Sequence, residues 1–156
     1  MTASNPLTTV AVGDVMTTHV QSMMADDTLE DAVALMVDHR LSTIPIVDAE
    51  NRCIGILSRN DLTELFLRED HALANVLDTD RLSMDWINRS METCDVRHVK
   101  ELMTVDVTVA RDDQSLVMAC QTMAAKKVHH LPVVNESGQV VGMLSAFDVV
   151  GAVAAG

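Results

Sequence analysis

Apolar residues recur at helical spacing at two places in the chain, and two short apolar runs follow each of them. At the first place, Thr28 offers a capping hydroxyl and the acid Asp31 lies three residues later, which is a signature of a helix start. The pattern predicts an amphipathic helix that ends near residues 39–40. Its apolar face comprises Leu29, Ala32, Val33, Met36 and Val37.

The two apolar runs after this helix predict strands. Residues 42–47 are short and β-branched, the polar residues 48–51 suit a turn, and residues 52–57 resume an apolar run. The stretch from Ser58 to Asp61 then begins a second helix. The same order returns over residues 115–126, 130–134, 140–144 and from Phe147 onward. Each half is therefore predicted to run strand, helix, strand, strand, helix, which is an α+β fold.

The two halves are related by a constant shift of 87 residues, the difference between 148 and 61. This shift aligns the phrase GILSRND, which begins at Gly55, with GMLSAFD, which begins at Gly142. A fixed offset over a whole supersecondary unit indicates an internal duplication, and two copies favour a pseudo-symmetric pair. The shift also aligns Pro45 with Pro132. Because proline donates no hydrogen bond to a ladder, both prolines predict an edge strand or a bulge.

The composition limits the classes of partner. The chain has 11 Lys and Arg against 23 Asp and Glu, a formal net charge of −12 over 156 residues. A field of this sign repels polyanions, so we expect no nucleic-acid partner and no membrane partner. Cys53, Cys94 and Cys120 show no CxxC spacing and suit reduced core thiols. Since no apolar run approaches about 18 residues and no secretory signal is apparent, the expected location is the cytoplasm.

The repeated serine and aspartate admit two interpretations. Ser58 with Asp61, and Ser145 with Asp148, fit the Ser-x-x-Asp form of a helix capping box, which needs no ligand. The same helix start presents free N–H groups to a phosphate, and an exposed carboxylate can accept hydrogen bonds from both hydroxyls of a ribose. The capping role holds under either interpretation.

The halves differ where a phosphate would bind. Arg59 is a potential bidentate phosphate donor, whereas Ala146 stands at the matching position of the second half. Residues 126–130 are locally basic, while their counterpart lies within residues 38–43. We expect the two lysines of this basic stretch to form a solvated helix end that complements the helix dipole. For His130, a phosphate contact and a structural role both remain open.

Taken together, these motifs resemble a tandem pair of CBS domains, also called a Bateman module. The resemblance rests on VMTTHV and LMTVDV, on STIPIVD and HHLPVVN, and on the two phrases GILSRND and GMLSAFD. It implies two pseudo-twofold-related repeats packed as one module. The expected organisation is a tail over residues 1–11, a first repeat over 12–66, a connecting segment over 67–98 and a second repeat over 99–156. Within the connecting segment, the spacing of Leu82 and Trp86 predicts an amphipathic helix.

The resemblance also implies a function. It implies adenine-nucleotide sites in the clefts where the repeats meet, and regulation by ligand occupancy in place of catalysis. It assigns phosphate and ribose contacts to the serines and aspartates of the repeated phrase. It assigns adenine contacts to Val20, Ile44, Val107 and Leu131. The expected regulatory ligand is AMP, ADP, ATP or S-adenosylmethionine (SAM), with Mg²⁺ left open as a companion, and no tightly bound cofactor or metal is expected.

Two functional hypotheses from different classes remain. The first is a stand-alone sensor, not an enzyme, that binds an adenine nucleotide and signals allosterically to an unknown effector protein. The chain has no nucleophile elbow, HExxH motif or Walker-type glycine loop that would favour catalysis. The second is a ligand-free structural or interaction module whose helices build a homodimer. Replacing Asp61 and Asp148 by asparagine separates the two, because only a sensor would lose stabilisation by its ligand.

Overall fold

The computed structural model describes residues 9–69, 92 and 95–155, and both repeats have the predicted order of elements. The first repeat comprises β1 (Met23–Met24), α1 (Leu29–Asp38), β2 (Thr43–Val47), β3 (Cys53–Ser58) and α2 (Arg59–Glu69). The second comprises β4 (Ala110–Arg111), α3 (Leu116–Lys126), β5 (His130–Val134), β6 (Val140–Ser145) and α4 (Ala146–Ala155). The α+β class predicted from the periodicities is confirmed.

Side-chain caps fix the starts of α1 and α3. The Thr28 hydroxyl accepts the N–H of Asp31 and donates to its carboxylate, at 3.1 and 2.8 Å. At the equivalent place in the second repeat, the Ser115 hydroxyl accepts the N–H of Met118 at 3.3 Å. Each cap satisfies a backbone donor that the first helical turn leaves free. The polar residues before each apolar stretch therefore set where the helix begins.

Each repeat has a three-stranded sheet in which the first strand is parallel to the second and the second is antiparallel to the third. Of the two alternatives predicted at Pro45, an edge strand or a bulge, the edge strand is excluded because β2 lies in the centre of the sheet. Pro45 nevertheless breaks no ladder bond, because β1 pairs only with Ile46 and Val47. On the other side, Pro45 faces Ile56, whose N–H and C=O are both bonded to Thr104. The predicted irregularity is present, since the register shifts between Ile46 and Val47.

The segments that precede β1 and β4 are exchanged between the repeats. Thr17 forms two backbone hydrogen bonds of 2.9 Å with Met143 in β6, and Thr104 forms the equivalent pair, at 2.9 and 3.0 Å, with Ile56 in β3. Val12 is 0% exposed in the core of the second repeat, and Val99 is 0% exposed in the core of the first. The two repeats are therefore joined by backbone hydrogen bonds as well as by apolar contact.

This exchange explains why the repeated motif has a glycine at positions 55 and 142. A Cβ atom on Gly142 would overlap Met16 and lie 3.0 Å from the carbonyl oxygen of Thr17. A Cβ on Gly55 would lie 2.7 Å from the sulfur of Met103 and 3.3 Å from the carbonyl oxygen of Thr104. Each glycine thus allows the exchanged segment of the other repeat to approach β3 or β6 closely.

The two repeats have separate cores. In each, the inner face of the first helix packs against the sheet, with Leu29 and Leu116 at equivalent, fully buried positions. Cys53 and Cys120 are free and partly buried, and burial raises the pKa of both thiols. Cys94 and the helix predicted around Trp86 lie outside the described residues. Within the described ranges, no helix is long and apolar enough to cross a membrane.

Candidate functional site

Two clefts lie where the repeats meet, at the ends from which β2 and β5 start. The larger cleft has a volume of about 460 Å³. It is lined by Ile56 of β3 and by four segments: residues 42–43 before and in β2, residues 58–61 at the start of α2, Thr104 with residues 106–108 of the exchanged segment, and residues 127–130 before and in β5. Both repeats therefore contribute to its walls.

The smaller cleft, of about 190 Å³, is the pseudo-symmetric counterpart. Its lining includes Ser145 and Asp148 around the start of α4, residues 19–21 of the other exchanged segment, and residues 40–43. Val20 lines this cleft and Val107 lines the larger one. The exchanged segments thus bring each of these valines to the helix start of the opposite repeat.

The predicted capping boxes are present at both helix starts. Oδ2 of Asp61 accepts the N–H and the hydroxyl of Ser58, each at 2.7 Å, and the Ser58 hydroxyl accepts the N–H of Asp61 at 3.3 Å. In the second repeat, Asp148 and Ser145 form the same three bonds at 2.7, 2.8 and 3.1 Å. The cap uses only Oδ2 of each carboxylate, and Asp61 and Asp148 each line one of the clefts.

Arg59 is held at the rim of the larger cleft. Its backbone N–H donates to the Ser42 carbonyl at 3.0 Å, and its Nε donates to the Leu41 carbonyl at 3.1 Å. The side chain is exposed and lines the larger cleft. At the equivalent position, Ala146 repeats only the backbone bond, to the His129 carbonyl at 2.9 Å. The predicted difference between the two helix starts is therefore present in the structure.

His130 lies between the two clefts and lines both. Its Nε2 lies 3.4 Å from the Ser42 hydroxyl, and its Nδ1 lies 3.4 Å from the Thr43 hydroxyl. Burial lowers the pKa of the imidazole, the charge of His129 lowers it further, and Asp148 acts in the opposite direction. These contacts support the structural role that the sequence left open, since both ring nitrogens have partners within the protein.

Lys126 and Lys127 are both exposed at the end of α3, as predicted for a solvated helix end. Lys127 lines the larger cleft, with a left-handed backbone at φ 55°. Arg40, at the equivalent position, lines the smaller cleft with φ 54°. A non-glycine residue in this conformation is uncommon, and glycine is usual just after a helix. The shared placement of a basic side chain was the sequence signal that could have identified both residues.

The structure does not bring Ile44 and Leu131 to the clefts. Both side chains are 0% exposed and belong to the cores of the first and second repeat. Their positions in β2 and β5 turn the side chains towards the helices, because alternate residues of a strand face opposite sides. The role in adenine contact predicted for these two side chains is therefore not supported by their placement. Conversely, Asp106 and Thr108 line the larger cleft although the sequence analysis did not select them.

No group of three or more His, Cys, Asp or Glu side chains in the described part of the chain is arranged to hold a metal ion. The basic and acidic residues at the larger cleft are instead distributed around its rim. Arg59 and Lys127 lie on it together with Asp61 and Asp106. The cleft thus offers hydrogen-bond donors and acceptors within a strongly acidic protein.

Comparison with known proteins identifies the same duplication. A family model for the CBS domain matches residues 12–68 and again residues 99–155. The inosine-5'-monophosphate dehydrogenase of Methanocaldococcus jannaschii is 26% identical over 140 residues, which are 90% of this chain and 22% of that enzyme. The homoserine O-acetyltransferase of Methanococcus vannielii is 25% identical over 138 residues, which are 88% of this chain and 24% of that enzyme. The chain spans less than a quarter of the length of these first curated relatives, 22–24%.

Solved structures share the fold over nearly the whole chain. The structure of CBSX2, an Arabidopsis thaliana CBS-pair protein, in complex with AMP has a TM-score of 0.71 at 26% identity, covering 93% of this chain and 96% of that one. The CBS domain pair of MJ0100, in complex with 5'-methylthioadenosine and S-adenosyl-L-methionine, has a TM-score of 0.70 at 19% identity, covering 94% and 97%. The second likeness shows the fold alone.

Proposed function

Because the chain belongs to the CBS domain family, we propose that it is a non-catalytic regulatory module that binds an adenine nucleotide between its repeats. The observation that carries this proposal is the helix start at the larger cleft. There the cap uses Oδ2 of Asp61, and Asp61 and Arg59 both line the cleft. The 26% identity to CBSX2, whose structure contains AMP, supports the same ligand class.

The chemistry of the cleft suits the parts of a nucleotide. A ribose presents two neighbouring hydroxyls, and a carboxylate can accept hydrogen bonds from both. A phosphate is favoured at a helix start, where free N–H groups and the helix dipole point outward, and by an arginine that donates two parallel hydrogen bonds. Val107 supplies a partly buried apolar wall for the base. We therefore propose Ser58, Arg59 and Asp61 as nucleotide-binding residues, with Val107 at the adenine.

The clefts also suit regulation, because segments from both repeats form their walls. A nucleotide bound there contacts α2 of the first repeat and residues 127–130 of the second. Such a ligand favours whichever arrangement of the repeats makes both sets of contacts, and an effector protein that binds one arrangement better would respond to it. ATP, ADP and SAM remain alternatives to AMP in this proposal. Mg²⁺ remains open as a companion of the ligand.

Catalysis by the serine is disfavoured by its hydrogen bonds. The Ser58 hydroxyl donates to Asp61, which resembles an activated nucleophile, but its oxygen also accepts the N–H of Asp61. An oxygen held in this way is a helix cap, and the same arrangement is present at Ser145. The activities of the much longer dehydrogenase and acetyltransferase relatives therefore do not transfer to this module in our proposal.

One observation favours the second candidate function, an interaction module that forms a homodimer. Phe147, Val150 and Val153 of α4 are 87%, 62% and 58% exposed, and their spacing places them on one face of the helix. The equivalent positions in α2 are Asn60, Thr63 and Phe66, of which the first two are polar and Phe66 is 3% exposed. An apolar helix face of this kind favours burial against another helix.

A thermal-shift panel tests the proposed function. The purified protein is heated with AMP, ADP, ATP, SAM and NADH, each with and without Mg²⁺. A nucleotide at about 100 times its dissociation constant stabilises the fold by about 2.7 kcal/mol, which raises the Tm by roughly 5–11 °C for a chain of this size. We expect such a shift with at least one adenine nucleotide and its loss in Asp61→Asn, where the amide oxygen can still cap the helix. If no nucleotide shifts the Tm, the interaction module is the better account.

A further inference from the structure

The two clefts have almost the same lining by position but differ greatly in size. Each residue at the smaller cleft has a counterpart 87 positions away at the larger one, yet the volumes are about 190 and 460 Å³. Ligand pockets usually have volumes of about 300–1,000 Å³. The larger cleft lies within that range and the smaller lies below it. Side chains that differ between the halves account for the lost space; His19, Gln21 and Met143 line the smaller cleft where Asp106, Thr108 and Ile56 line the larger one.

His130 has the largest side chain of the three residues that line both clefts, which are Ser42, Thr43 and His130. Its counterpart is Thr43, so an imidazole faces a small hydroxyl side chain across the pseudo-twofold axis. The ring is held there by Ser42 and Thr43 of the other repeat, and it lines both clefts. The two hydrogen bonds fix the ring as a partition between the clefts. Burial, the main cause of its lowered pKa, favours the uncharged ring that such a partition requires.

The side chains that could bind a phosphate also favour the larger cleft. The larger cleft has Arg59, whose guanidinium is anchored by the Leu41 carbonyl, while the smaller has Ala146 at that position. Both clefts have a basic side chain just after a helix, Lys127 in one and Arg40 in the other. Asp106 adds an exposed carboxylate to the larger cleft, so the larger cleft gains little in net positive charge. The preference of a phosphate for the larger cleft therefore depends on the paired N–H donors of the Arg59 guanidinium.

We propose that each chain binds a single nucleotide, in the larger cleft with its phosphate at Arg59 and Lys127, and that His130 closes the smaller cleft to a nucleotide. This inference rests on the proposed function, and it names the site and the ligand class: a nucleoside carrying at least one phosphate. It also gives the two halves of the duplication different roles. The first helix start caps its helix and binds the ligand, whereas the second only caps its helix.

Isothermal titration with AMP and with adenosine tests this assignment. We expect a stoichiometry of one AMP per chain for the wild type and for Asp148→Asn, and loss of binding in Asp61→Asn. Arg59→Ala should weaken AMP binding by about tenfold to a hundredfold, the range for a hydrogen bond to a charged group, and should change adenosine binding much less. In the double variant His130→Thr/Ala146→Arg, which gives the second half the residues of the first, the stoichiometry should rise to two.

The outcomes separate this inference from the proposed function. Two AMP per wild-type chain, or binding lost in Asp148→Asn but kept in Asp61→Asn, would contradict the assignment while supporting nucleotide binding. A stoichiometry that stays at one in the double variant would contradict the role of His130, and the retained first site would show that this variant is folded. No binding of AMP, ADP or ATP to the wild type would contradict the proposed function itself.

Discussion

The exchange of the segments that precede β1 and β4 predicts that Gly142 cannot be replaced by alanine without loss of stability. Replacing this glycine by alanine places a methyl group against Met16 and 3.0 Å from the carbonyl oxygen of Thr17. That carbonyl cannot retreat freely, because it accepts the N–H of Met143 at 2.9 Å. The variant must therefore stretch the junction between the repeats or displace the methionine.

The cost follows from the packing of this junction. Inserting one methyl into a well-packed site typically destabilises by about 1–3 kcal/mol. We expect Gly142→Ala to lower the free energy of unfolding by about 2 kcal/mol, which corresponds to a fall in Tm of roughly 4–8 °C. Gly55→Ala should cost less, because its nearest contact is the flexible end of Met103 and the Thr104 carbonyl lies farther away, at 3.3 Å.

Urea denaturation followed by circular dichroism measures these differences, with Gly151→Ala as the matched control. Gly151 lies within α4, and a methyl group there would meet nothing within 4 Å. The control should be more stable than wild type by about 0.5–1 kcal/mol, since alanine is the better helix former. If Gly142→Ala is as stable as wild type while Gly151→Ala behaves as expected, the close approach of the exchanged segment is refuted.

Three further predictions concern the core, the partition and the exposed helix. Val12→Ala should cost about 2 kcal/mol and reduce hydrogen-exchange protection in β5 and β6, whereas Val105→Ala, at a 70% exposed position, should change stability by less than about 0.5 kcal/mol. Because the pKa of His130 is lowered below its unfolded value of 6.5, the unfolded chain takes up the proton first, and stability falls as the pH drops below about 6.5. His130→Thr should lose less stability than wild type between pH 7.5 and 5 in urea titrations, despite the neighbouring charges of His129 and Asp148. Light scattering should give a dimer mass for wild type and a monomer mass for Val150→Asp; two dimers of equal stability would contradict pairing through α4.

The repeated sequence pattern predicted most of the fold for a physical reason. Helical spacing after Thr28 and Ser115, and short apolar runs around Pro45 and Pro132, report burial directly, and burial decides secondary structure. The capping boxes in the motifs GILSRND and GMLSAFD could also be predicted, because Ser-x-x-Asp forms a local interaction. The shift of 87 residues then placed equivalent elements in both halves.

The sequence could not show with which repeat each exchanged segment packs. The apolar character of Val12 and Val99 predicts burial but not the partner, and both cores would accept them. For the same reason, the approach of Lys127 and Asp106 to the larger cleft depends on long-range packing. The adenine contacts of Ile44 and Leu131 were implied by the family resemblance, which does not show that both side chains are buried in the cores.

Equilibrium dialysis of radiolabelled AMP against the wild type and Asp61→Asn tests the central claim most directly. The account predicts saturable binding to the wild type and no saturable binding to the variant, at a protein concentration where circular dichroism shows both to be folded. Equal binding by the two proteins, or no saturable binding of AMP, ADP or ATP by the wild type, would contradict it.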